Sequence, residues 1–142
     1  MKVPIPLIVV TAALAAMLAV PPRLAAGATT DAGKVDWSKA QLVAVIAVEY
    51  DFNPNHLIFH RGTAYRLHLE NHGAEMHELT APEFFHASLI KNPEALARDG
   101  TDLVVQPNES KDVLLVPEKA GQFRMFCADH DWAGMTGDIT VE

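Results

Sequence analysis

Cys127 is the only cysteine in 142 residues, so no disulfide can form within the chain. No cysteine stands near the N-terminal segment either, which removes the usual attachment point of a lipid anchor. No apolar run reaches the roughly 20 residues that a membrane-spanning helix needs. Leu7 to Val20 stops at fourteen. The chain has no glycine-rich phosphate loop, no Ser-His-Asp pattern, no internal repeat and no low-complexity tract. Positive charge is the scarcer sign: 11 Lys and Arg stand against 18 Asp and Glu, a formal charge of −7 with neutral histidines. Such a field repels nucleic acid and anionic membranes and favours basic partners.

The N-terminus has the parts of a secretory signal. Lys2 supplies a basic start, Leu7–Val20 a short apolar core, and Ala26-Gly27-Ala28 an A-x-A cleavage pattern. Cleavage near Ala28 is the expectation, with residues 29–142 exported to the periplasm and no stable membrane anchor left behind. Cleavage would remove Lys2 and Arg23 but no acid, leaving 9 basic and 18 acidic residues and a formal charge of −9. A lone thiol in an oxidising compartment is a liability unless something occupies it.

Residues 29–40 are small and polar and read as a flexible arm. Residues 41–142 read as one domain. Gln41–Tyr50, His56–His60, Ala64–Glu70, Leu103–Val105, Asp112–Val116, Gln122–Phe126 and Gly137–Glu142 read as strands, and Phe52-Asn53-Pro54-Asn55 reads as a turn. In Ala64–Glu70, Tyr65, Leu67 and Leu69 share one face and Arg66, His68 and Glu70 the other, the pattern of a half-buried strand. Pro82–Arg98 does not alternate and reads as one or two helical turns in a long connection, with Phe84 and Phe85 in the core. Seven or eight short strands with frequent turns predict an all-β, Greek-key antiparallel sandwich.

Phe126-Cys127-Ala128-Asp129-His130-Asp131-Trp132-Ala133-Gly134-Met135 places a thiol, an imidazole and a thioether in the spacing C-x2-H-x4-M. The stretch falls between two predicted strands, so a tight loop can turn the three side chains to one point. Thiolate and thioether are soft donors, and with imidazole they prefer copper to magnesium, calcium or manganese. A His2Cys set with a weak axial Met describes a blue-copper electron-transfer centre, which requires a second imidazole from elsewhere.

This segment resembles the C-terminal ligand loop of the cupredoxins, in particular plastocyanin and pseudoazurin. Gly121–Cys127 is similar to the strand entering their cysteine, and Gly134–Val141 to their closing strand. The resemblance implies that Cys127, His130 and Met135 are ligands of one type 1 copper. It points to His77 as the upstream histidine, after the turn Asn71-His72-Gly73; His72 is its rival. It also implies single-electron transport through the exposed edge of His130 to a redox partner protein, by a monomer that is not an enzyme. Asp129 and Asp131 beside that edge favour a partner with a basic surface, and Trp132 is either a docking aromatic or a shield over the metal. The chain departs from the family at Glu78, where Asn or Ser usually ties the ligand loops together, at Asp129, often Pro, and at Trp132, usually small.

His56, His60, His68 and His86 have no partner at a recognisable metal spacing and read as surface or hydrogen-bonded residues; the minority reading is a weak extra copper site. Met76 and Met125 read as core. Copper sequestration or delivery with the same fold and ligands is the alternative function. Cys-His nucleophilic chemistry would leave Met135 without a role, structural zinc disfavours thioether, and multicopper enzymes require His-x-His pairs that this chain lacks.

Overall fold

The computed structural model describes residues 31–142; the expected signal segment lies outside them. Among the described residues, ten strands form two five-stranded sheets. They are β1 (Gln41–Val48), β2 (Asp51–Asn53), β3 (His56–Phe59), β4 (Tyr65–Asn71), β5 (His77–Thr80), β6 (Ser88–Ile90), β7 (Asp102–Val105), β8 (Ser110–Pro117), β9 (Gly121–Phe126) and β10 (Thr136–Val141). One sheet has the order β2-β1-β4-β8-β6, the other β3-β10-β9-β5-β7. The expected all-β sandwich is what forms. Two neighbouring pairs, β1 with β4 and β3 with β10, are parallel, and the rest are antiparallel. The β1–β4 pair is parallel because the chain leaves the first sheet to make β3 before it returns.

Alternation builds the core. In β4, Tyr65, Leu67 and Leu69 are buried, while Arg66 is exposed and His68 and Glu70 are partly so. They meet Val45, Ala47, Val113 and Leu115 of their own sheet and Phe59, Leu79, Phe123, Met125 and Ile139 of the other in one cluster. Sheets that pack face to face in this way enclose a dry layer about 10 Å thick.

Three strands lie where the sequence reading had none. β2 includes Phe52 and Asn53, read as turn. β6 lies inside the long connection. β5 is polar in sequence, yet all four of its residues are buried. The expected helical turn in the connection is α1 (Pro82–His86), which buries Phe84 and Phe85 as anticipated. Residues 31–40, read as an arm, contain two 3-10 turns, Ala32–Lys34 and Trp37–Lys39, and Lys91 lies over the Trp37 ring at 5.4 Å. Among the described residues no helix is long and apolar enough to cross a membrane.

Candidate metal centre

The β9–β10 hairpin builds the first half of the site. Its last ladder pair is Phe126 opposite Thr136. Beyond it the Cys127 N–H donates to the Met135 carbonyl at 3.0 Å, closing the base of the loop. Inside, His130 N–H donates to the Cys127 carbonyl at 3.1 Å, and Met135 N–H to the His130 carbonyl at 3.3 Å. Asp131–Ala133 form a 3-10 turn that ends at Gly134 with φ +90°, a conformation that costs a residue with a Cβ. This winding turns Cys127, His130 and Met135 inward; Cys127 and Met135 are fully buried and His130 is 8 % exposed.

The second half comes from β5. Thr80 pairs with Phe126, so an antiparallel strand running back from Thr80 brings His77 alongside the loop. His77 is fully buried, and its ring centroid lies 5.0 Å from that of His130. His130 Nδ1 is 3.4 Å from Cys127 Sγ. One donor atom each from His77, Cys127 and His130 lies within 4.8 Å of the others. His72 stands outside this group, exposed, with its Nε2 on Glu70 at 2.8 Å.

The polar accounting of this cluster is incomplete without a further group. Neither ring nitrogen of His77 has a hydrogen-bond partner. Glu49 Oε1 lies 3.4 Å from Nε2, but that oxygen already accepts the N–H groups of Ala74 at 2.6 Å and Glu75 at 2.8 Å. An unpartnered buried polar atom costs about 1–3 kcal/mol. Burial, and then the charge of His130, lower the His77 pKa, so the ring is held neutral with a lone pair available. Burial likewise pushes the Cys127 thiol up, opposed by the nearby backbone N–H groups of Glu78, Asp129 and His130. The Glu78 carboxylate is itself buried, 3.3 Å from Arg98, and burial raises its pKa against the pull of that arginine.

The expected exposed edge of His130 is not present. His130 Nε2 lies 2.8 Å from Glu75 Oε2, and the Tyr50 ring packs on the imidazole at 4.8 Å. Glu75 can reach because its loop is pinned: Asn71 Nδ2 donates to the Glu75 carbonyl at 2.7 Å, and Glu49 receives the Ala74 and Glu75 N–H groups. Trp132 is 77 % exposed and does not shield the centre; its indole N–H donates to the Asp129 carbonyl at 2.9 Å and its ring lies 5.9 Å from Tyr50. Met76 is half-buried and outside the core cluster, contrary to expectation, because it ends the exposed loop ahead of β5. Met125 is in the core as expected.

Sequence reasoning missed Glu49, Tyr50, Asn71 and Glu75. Only Asn71 had a local signal, the Asn-x-Gly turn: its Oδ1 accepts the Gly73 N–H at 2.8 Å. Glu49 and Tyr50 arrive from the β1–β2 turn on the other sheet.

Fold and site together define a two-sheet β-sandwich with, among the described residues, one buried Cys-His-His cluster. The sequence profile described as "Cupredoxin-like domain" matches residues 8–141, and the chain belongs to that family. Among solved structures it is similar to dithionite-reduced auracyanin of Roseiflexus castenholzii (TM-score 0.55, 13 % identity, covering 72 % of this chain and 98 % of that one). It is also similar to auracyanin A, a "blue" copper protein of Chloroflexus aurantiacus (0.53, 16 %, 71 % and 98 %). A copper-containing nitrite reductase of Thermus scotoductus gives 0.53 and 19 %, covering 72 % of this chain but 28 % of that larger one. No curated protein sequence matches the chain.

Proposed function

We propose that this is an exported, periplasmic type 1 copper protein that carries single electrons. One copper per chain would be held by Cys127, His77 and His130, with the Met135 thioether as a further, weaker donor. The observation that carries this reading is the buried His77–Cys127–His130 cluster with both His77 ring nitrogens unpartnered. The donor chemistry fits copper: one thiolate, two imidazoles and a thioether suit both Cu(I) and Cu(II). Copper supplies one-electron chemistry between those two states.

The chain's own residues supply the rest. The hairpin backbone fixes Cys127 and Met135 against each other, and β5 fixes His77. The nearby backbone N–H groups of Glu78, Asp129 and His130 favour the thiolate form of Cys127. Metal uptake displaces the thiol proton, so loading weakens as pH falls. Glu75 Oε2, 2.8 Å from the far nitrogen of His130, helps to orient the ring as a ligand. A rigid site keeps reorganisation small when an electron enters or leaves.

The alternative, copper sequestration or delivery at the same ligands, is favoured by one observation: Glu75 and Tyr50 cover the imidazole edge that an electron would use. Cyclic voltammetry of the copper-loaded chain and its Glu75→Gln variant separates the two. A carrier gives a reversible wave in both, with the variant at higher potential because an anionic support for Cu(II) is lost. A wild-type chain without a reversible wave, beside a variant that has one, supports copper handling.

A further inference from the structure

The outer face of the β2-β1-β4-β8-β6 sheet holds a second group of imidazoles, away from the thiolate. Alternate residues of an extended chain share a face. His68 and Glu70 of β4, and His72 just beyond it, are spaced in this way. His68 Nε2 lies 2.9 Å from Glu70 Oε1, and His72 Nε2 lies 2.8 Å from Glu70 Oε2. Both rings therefore turn the same nitrogen to one carboxylate.

A neighbouring strand supports one of them from behind. Asp112 of β8 is the register partner of His68. Its Oδ1 is 2.6 Å from His68 Nδ1, and its Oδ2 is 3.4 Å from Arg66. A carboxylate on the far ring nitrogen is what typically orients a metal-ligating histidine: it keeps the proton on Nδ1 and the lone pair on Nε2. A solubilising surface needs no such arrangement, since one exposed ion pair is worth only about 0–1 kcal/mol.

We infer that His68 Nε2, His72 Nε2 and the Glu70 carboxylate form a second metal site, for a divalent late transition ion and for Cu(II) in particular, with Asp112 as the positioning residue. Two nitrogens and an oxygen without sulfur suit Cu(II) rather than Cu(I), and Cu(II) binds nitrogen and oxygen donors most tightly among the divalent first-row ions. The donors stand as two contacting pairs on Glu70. The His72 side chain, 54 % exposed, can swing to complete the set, and water fills the open positions. The ion takes the place of the hydrogen bonds now made between each imidazole and Glu70.

The test is a Cu(II) titration of chain already loaded with one copper, followed by electron paramagnetic resonance. The expected result is one further equivalent with nitrogen-coupled hyperfine structure and no added charge-transfer absorption. His68→Ala and His72→Ala each weaken that equivalent at least tenfold, and Asp112→Asn weakens it about 10- to 100-fold, all with the first equivalent unchanged. Cys127→Ser chain retains the signal, so failure of the thiolate centre would not be mistaken for failure of this site. No second equivalent, or one that survives in the His68→Ala/His72→Ala double variant, overturns the inference.

Discussion

Each donor at the proposed copper centre has a separable consequence. Met135 is buried behind the hairpin and, as a thioether, supports Cu(II) weakly. Met135→Leu should retain copper and shift the Cu(II)/Cu(I) balance toward Cu(I) by at least tenfold, about 59 mV or more for one electron, read by voltammetry. Complete loss of copper would mean that the thioether is a principal ligand. His68 gives a pH effect independent of copper. Its hydrogen bond to Asp112 raises its pKa above the ordinary value near 6.5, burial opposing, with Glu70 adding to the rise. A base whose folded pKa is raised stabilises the fold fully below its unfolded pKa, and that contribution disappears as pH rises through the folded value. The metal-free His68→Gln variant should therefore lose most stability in mild acid and progressively less toward alkaline pH. Denaturant midpoints across pH measure this; a deficit that grows with pH would contradict it.

At the scale of elements, the hairpin that carries three donors depends on close approach at Gly137. A Cβ there would collide with the Asn55 carbonyl, on the turn before β3, and with the Met125 terminal methyl. Gly137→Ala should destabilise the chain by about 1–3 kcal/mol, seen in urea unfolding. It should also perturb the copper absorption band, because Met125 is two residues from Cys127. A variant of unchanged stability and spectrum would show that β10 can shift freely. Elements with one buried face, such as β4, were legible in the sequence because alternation marks them. β5 was not: His77 and Leu79 face the interior, while the Glu78 carboxylate on the other face is covered by Arg98 from the connection. Burial on both faces removes the alternation, and His-Glu-Leu-Thr has no apolar run to replace it. β2 and β6 have three residues each, too few to show a period.

The whole molecule brings a site from one short motif together with parts far away in sequence. C-x2-H-x4-M was readable because a single loop holds it. Glu75 could not be read as a partner of His130, 55 residues on, because only the paired sheets bring them together; the same holds for Glu49 and Tyr50. The acidic excess is also a property of the whole. Asp129, Asp131 and Glu75 are exposed around Trp132 at the site end, with Arg124 3.9 Å from Asp131 as a partial counterweight. Electron exchange with a cationic redox probe should slow as salt is raised toward 0.1 M, where screening acts over about 10 Å, and exchange with an anionic probe should quicken. Stopped-flow rates against ionic strength decide it, and equal slopes for both probes would remove any role for the acidic end.

The central claim is that Cys127 binds copper as a thiolate between two imidazoles. Visible absorption during a Cu(II) titration of residues 29–142, beside the Cys127→Ser variant, tests it most directly. The account predicts an intense charge-transfer band that saturates at one copper per chain and is absent from the variant. No intense band in the wild-type chain, or the same band in both, would contradict it.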